Sequence, residues 1–227
     1  METKDLKTEV LIKDPGDFDL SFKLIFIGDS GVGKSCLAAR ATKDNFDPLY
    51  SPTIGFEFMT FFVKIEDTII KLQIWDTCGQ EVYRSLISSF YRNSSLAILV
   101  YAINNDMSFN NLNIWLNEVR TFGNPDINLF LIGNKVDIED DRQISKEEAQ
   151  KFAENNKVKL FLETSAKTGY NAKNVLVEAA KLLYGQHLIY QNKLSRPESL
   201  KSSTNSTNNV ELETVEEESN KKRRKCC

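Results

Sequence analysis

The sequence predicts an α/β domain built on a six-stranded, mostly parallel sheet, with helices on both faces and one antiparallel hairpin at the edge. Three observations predict it. Short apolar runs alternate with amphipathic stretches along the chain. Several of those runs are continuous rather than alternating, as strands buried on both faces are. Two further strand-like runs are joined only by Glu66-Asp67, the spacing of a hairpin.

Phe22 to Ile27 is the first strand, and the segment opening at Lys34 reads as a helix. Phe58 to Ile65 and Thr68 to Trp75 form the hairpin, and Leu96 to Ile103 is a central strand. Leu112, Trp115, Leu116, Val119 and Phe122 recur at helical spacing, as do Val175, Ala179, Leu182 and Leu183. Leu129 to Ile132 and Leu160 to Glu163 complete the strands, and Ser145 with Glu148 is a capping box that opens another helix. No internal repeat is present. Three regions follow: a flexible arm over residues 1–20, one domain over 21–190, and a disordered tail over 191–227, whose Ser/Thr/Asn-rich and charge-blocked sequence cannot bury enough apolar surface to fold.

The composition is that of an ordinary globular chain: 227 residues, 41% hydrophobic, 27% charged, with a net charge of −3. It excludes collagen-like and wholly disordered classes and argues against nucleic acid as a partner. No run approaches the roughly 18 apolar residues of a membrane span. The N-terminus is polar and lacks Gly after Met1, which excludes a signal-peptide core and N-myristoylation. Cys36, Cys78, Cys226 and Cys227 fit neither a disulfide framework nor a zinc site, so a reduced, cytosolic chain is expected.

Four motifs carry chemistry. Gly28-Asp29-Ser30-Gly31-Val32-Gly33-Lys34-Ser35 fits the phosphate-binding pattern G-x-x-x-x-G-K-[ST] between a strand and a helix. Its glycines let backbone N–H groups turn toward phosphate oxygens, and the helix adds its positive end. Lys34 supplies charge at the outer phosphates, and Ser35 a hydroxyl for Mg²⁺. Asp76-Thr77-Cys78-Gly79 ends a strand with a carboxylate suited to Mg²⁺ and a glycine whose N–H can approach a γ-phosphate. In Asn134-Lys135-Val136-Asp137 a carboxylate can accept from guanine N1–H and the 2-amino group, a donor pair adenine lacks. Ser165-Ala166-Lys167 can offer a backbone N–H to guanine O6. Each motif alone also fits an ordinary strand-end turn; the four in this order are specific.

With these motifs the chain resembles the Ras superfamily of small GTPases and, within it, the Rab family. The Rab-like features are Ile54-Gly55-Phe56-Glu57-Phe58, Lys71-Leu72-Gln73-Ile74-Trp75-Asp76, Phe90-Tyr91-Arg92 and the Cys-Cys end. The resemblance implies the P-loop small GTPase fold and a slow GTP phosphohydrolase that needs an activating protein. It implies phosphate contacts from Asp29, Ser30, Gly31, Val32, Gly33, Lys34, Ser35 and Cys36, joined by Thr53 and Gly79. Ser35 and Thr53 would ligate Mg²⁺ directly and Asp76 through water. Phe46 would pack on the guanine, a position that plain core packing also explains. Asn134 and Asp137 would read the base, with Ser165 and Ala166 beside them and Lys135 and Lys167 over the ring faces. Gln80 would orient the attacking water. Cys78 and Ala102 depart from the family, which has Ala and Asp there.

Lys221-Lys222-Arg223-Arg224-Lys225-Cys226-Cys227 is not a C-a-a-X box. The resemblance implies geranylgeranyl groups on both cysteines, and two chains meet the requirement for stable anchoring. It further implies a monomer on the cytoplasmic face of an endomembrane compartment with a cytosolic pool, cycling GTP and GDP in vesicle traffic. The implied partners are an exchange factor, a GTPase-activating protein, Rab escort protein, GDP-dissociation inhibitor and effectors reading Ile54, Phe56 and Trp75. A metabolic P-loop kinase or ATPase would need a phosphoacceptor site and a lid. A scaffold that no longer hydrolyses is the third class.

Overall fold

The computed structural model describes residues 6–48, 53, 55–79 and 90–194. Within them the order is β1 (Thr8–Leu11), β2 (Leu20–Ile27), α1 (Lys34–Lys43), β3 (Phe56–Ile65), β4 (Thr68–Thr77), β5 (Leu96–Ala102), α2 (Asp106–Asn110), α3 (Leu112–Phe122), β6 (Asn128–Asn134), a 3-10 helix (Val136–Asp141), α4 (Lys146–Asn155), β7 (Leu160–Glu163) and α5 (Ala172–Leu194).

Strict alternation along the central strands builds two cores, one on each face of the sheet. Leu96, Ile98, Val100 and Ala102 of β5 face one layer, with Leu24 and Phe26 of β2, Leu37 and Ala38 of α1, and Val175 and Leu176 of α5. Ala97, Leu99 and Tyr101 face the other, with Ile25, Ile27, Trp115 and Leu116 of α3, and Ala149 of α4. All seven residues of β5 are buried. A strand with a core on each side shows a continuous apolar run, which is why it was legible.

The strand order is β1-β3-β4-β2-β5-β6-β7. Pairs among β4, β2, β5, β6 and β7 are parallel, whereas β3 pairs antiparallel with β4 through the turn at Glu66. Two expectations need correction. The sheet has seven strands, not six, because part of the N-terminal arm is strand: Thr8–Leu11 pairs antiparallel with Phe62–Ile65. Four residues are too few to show a period, and the partner lies far along the chain. Likewise ordered structure passes the expected domain boundary at residue 190: the last helix runs to Leu194, because Gln191-Asn192-Lys193-Leu194 contains nothing that breaks a helix. The rest of the tail, with Cys226 and Cys227, lies outside the described residues, as do Ile54 and Gln80.

The strand order reverses direction at β2, whose neighbours β4 and β5 both follow it in the chain. Ligands of open α/β sheets bind beyond the carboxyl ends of strands at such a point. Here the loop after β2 lies between the loops after β4 and β6.

Candidate functional site

A cleft of about 340 Å³ opens there, within the size range of small-molecule sites. Ser30, Gly31, Gly33, Lys34, Ser35 and Cys36 line its floor, Thr77, Cys78 and Gly79 one side, and Asn134, Lys135, Asp137, Ala166 and Lys167 the other. Phe46, Asp47, Pro48 and Thr53 form a lip. Two glycines are obligatory. Gly28 has φ +139°, and a Cβ on it would strike the Val100 carbonyl of β5; one on Gly79 would strike the Asp29–Ser30 backbone. The four motifs therefore converge on one cleft.

Its floor is buried and charged. Lys34 sits in the first turn of α1 with its Nζ donating to the carbonyls of Gly28 at 2.7 Å and Asp29 at 2.8 Å. Burial pulls this ammonium down to about 8, against the opposing pull of Asp76 and Asp29. Asp76 is fully buried at the end of β4, and burial pushes its carboxyl up to about 6, with Ser35 and Lys34 countering. The Ser35 hydroxyl lies near this carboxylate, yet neither of its oxygens accepts a protein hydrogen bond of good geometry. The Ser35 and Thr53 hydroxyls meet at 2.7 Å. Two hydroxyls and an unpartnered buried carboxylate are hard oxygen donors of the kind Mg²⁺ takes, so these residues fit the metal implied by the sequence. Cys36 is half-buried in the cleft wall, and burial raises its thiol. Cys78 is buried in the second core and donates its N–H to the Gly55 carbonyl at 3.0 Å, tying β4 to the segment before β3.

The other end is built of side chains that bond one another. Asn134, buried at the end of β6, donates Nδ2 to the Val32 carbonyl at 2.9 Å. Its Oδ1 accepts from Thr164 Oγ1 at 3.1 Å and the Ala166 N–H at 3.2 Å. Asn134 thus clamps the phosphate loop to the 164–166 loop. Asp137 Oδ1 accepts from Ser165 Oγ at 2.6 Å, and Lys167 Nζ lies 4.0 Å from Oδ2. Lys135 adopts φ +73° where the chain leaves β6, and burial lowers its ammonium. Phe46 both lines the cleft and packs on the first core.

One bracing contact had no signal in the motifs. The carboxylate of Asp29, inside the phosphate loop, accepts from Trp115 Nε1 at 2.8 Å and Asn111 Nδ2 at 2.7 Å. Helical spacing marks Trp115 only as core. Its indole N–H, with Asn111 beside it, holds an anionic side chain on α3 and away from the space where phosphates would sit. Nothing local to either residue announces a partner more than 80 positions away. Among the expected site residues, Gln80 is outside the described set; the others lining the cleft are placed as above.

A model of the Ras family matches residues 23–185, from within β2 to within α5.

Proposed function

We propose a particular task for this chain, which belongs to the Ras family and is a small GTPase switch: it acts as a Rab-like switch in vesicle traffic, anchored to the cytoplasmic face of an endomembrane through geranylgeranylated Cys226 and Cys227. The observation that carries this reading is an aromatic cluster beside the cleft. Phe56 and Phe58 of β3 flank Trp75 of β4, with ring centroids 5.3 and 5.1 Å away, and the Phe90 ring lies tilted against Phe56 at 4.7 Å. Phe56 and Phe58 are nearly half exposed, and Lys23 Nζ lies 5.3 Å from the Trp75 ring. Exposed aromatic residues are what the centres of interfaces are enriched in. The cluster is also joined to the cleft, through Gly55 on Cys78 and Thr53 on Ser35.

The chemistry follows from the floor and the lip. Lys34 and the inward backbone N–H groups of the phosphate loop would bind the β- and γ-phosphates of GTP. Mg²⁺, held by Ser35 and Thr53 with Asp76 behind them, would neutralise charge developing on the phosphate oxygens. Gln80 would orient the attacking water, and Thr53 and Gly79 would sense the γ-phosphate. Loss of that phosphate frees Thr53 and Gly79, and through Gly55 and Cys78 the aromatic surface, so partners distinguish the two states. Turnover is slow until an activating protein contributes a catalytic group.

Single-turnover hydrolysis with GTP and ATP side by side tests the enzyme. Gln80→Leu should keep nucleotide binding and slow stimulated hydrolysis by orders of magnitude; a variant that hydrolyses at the parent rate assigns the water to another residue. Fractionation of cells expressing a Cys226→Ser, Cys227→Ser protein tests the anchor. Five adjacent cations, each contributing roughly 1 kcal/mol on an anionic leaflet, should leave only weak, salt-sensitive association. Full recovery in the membrane pellet refutes lipidation there.

A further inference from the structure

The base-reading loop has a support on α1. Arg40 lies in the last turn of that helix, at the opposite end from Lys34 and Ser35, and all three of its guanidinium nitrogens donate. Nε reaches the Ala166 carbonyl at 2.9 Å and Nη2 the Lys167 carbonyl at 2.7 Å. Nη1 holds the Asp44 carbonyl at 3.1 Å, just past the end of α1. The side chain is only 19% exposed. Two successive carbonyls of the Ser165-Ala166-Lys167 motif are therefore drawn to one planar group.

A trans peptide points its N–H away from its C=O. Fixing the Lys167 carbonyl on Arg40 thus aims the N–H of Thr168 the other way, and that N–H donates to Ser165 Oγ at 3.0 Å. The Ser165 hydroxyl in turn donates to Asp137 Oδ1 at 2.6 Å. An unbroken path runs from Arg40 through one peptide and one hydroxyl to the carboxylate at the base end of the cleft. The Lys167 N–H, which shares a peptide with the Ala166 carbonyl, is oriented by the same guanidinium.

We propose that Arg40 is a positioning residue for base recognition: its fork fixes the 165–168 loop on α1 and, through Thr168 and Ser165, sets the direction of the Asp137 carboxylate. This rests on the guanine-nucleotide reading of the cleft. One rigid helix then carries the phosphate-binding groups at its start and the support of the base loop at its end, which holds the spacing between the two half-sites. A lysine cannot substitute, because a single ammonium lacks the planar fork that reaches two carbonyls in line.

The test uses the full chain as parent, Arg40→Lys, Arg40→Met and Asp44→Ala, with affinities for GDP, IDP and ADP, the GDP release rate and the melting temperature. IDP lacks the 2-amino group, so the GDP-over-IDP preference reads the aim of Asp137. Losing one or two charge-assisted hydrogen bonds should speed GDP release about 10- to 100-fold and cut that preference about tenfold in Arg40→Lys. Should Arg40→Met not fold, Arg40→Lys still reads the effect. Asp44→Ala removes a carboxylate but keeps the carbonyl, and both quantities should stay within about twofold of the parent. Arg40 variants that melt earlier yet keep the parent's GDP-over-IDP preference overturn the positioning role and leave the guanine reading standing. A parent that binds ADP as well as GDP overturns the guanine reading itself, and this role with it.

Discussion

The two ends of the cleft are built on opposite plans. At the phosphate end the side chains are buried and charged, and their strongest groups lack protein partners of matching strength: Asp76 has none, and Lys34 rests on two neutral carbonyls. At the base end nearly every polar atom is spoken for within the protein, through Asn134, Thr164, Ser165 and Asp137. The first plan stores electrostatic binding capacity in a low-dielectric site, which favours any polyphosphate-metal complex. The second fixes geometry, which favours one base over another. Strength and choice are thus separated in space, and substitutions at the two ends should be separable in assay.

Lys34→Met should have the largest effect. Removing this buried cation should lower affinity roughly 100- to 1,000-fold for every nucleotide alike. Competition binding with GDP, IDP and ADP checks this, and a changed ranking would break the division proposed for the cleft. Asp137→Asn should act the other way round, weakening guanine nucleotides about 10- to 100-fold while admitting xanthine nucleotides, because an amide meets the base donor to donor. Unchanged GTP affinity in that variant removes Asp137 from the base site.

Trp115→Phe keeps most of the buried ring and removes only the donor to Asp29, leaving Asn111 as its partner. Release of GDP should quicken about tenfold, with the ranking of bases preserved. The smallest effect belongs to Arg142, which pairs with Glu139 and with Glu163, next to the 164–166 loop, at 2.6 and 2.7 Å. Its hydrogen bond holds the Glu139 carboxyl below the ordinary carboxylate range, so the folded state favours the ionised form. That stabilisation is present above the ordinary carboxylate pKa and is lost as the pH falls through the lowered one. Arg142→Gln should therefore melt slightly earlier at neutral pH, and the gap to the parent should close on acidification; a gap that persists in strong acid assigns the loss to packing instead.

What was legible in the sequence was whatever is local. The apolar run of β5 announced itself because both its faces are buried. The helix after Ile144 was marked by Ser145, whose hydroxyl does accept from the Glu148 N–H at 3.1 Å. The phosphate loop could be recognised because its glycines and Lys34 act within eight consecutive residues. Asp29, by contrast, was visible as a loop residue but not as the anchor of Trp115, and Arg40 was one more cation on a helix. Their partners are 86 and 126 positions away, and no period or spacing encodes such pairings. β1 escaped for the same reason, and α2 because five residues make barely more than one turn.

β1 has a practical consequence for handling the protein. It is laid along Phe62–Ile65 and stops there, so the remainder of β3 from Phe56 to Phe61 carries no strand on that side among the described residues. Four residues thus decide how much of the sheet margin is open to strand addition from another molecule. A shortened protein that starts after Leu11 keeps every residue of the cleft and loses this cover. It should bind nucleotide normally and yet self-associate more readily during purification, with the newly bared Phe62–Ile65 margin as the contact. Anyone trimming the N-terminus to obtain a tidier domain would be removing a solubility element.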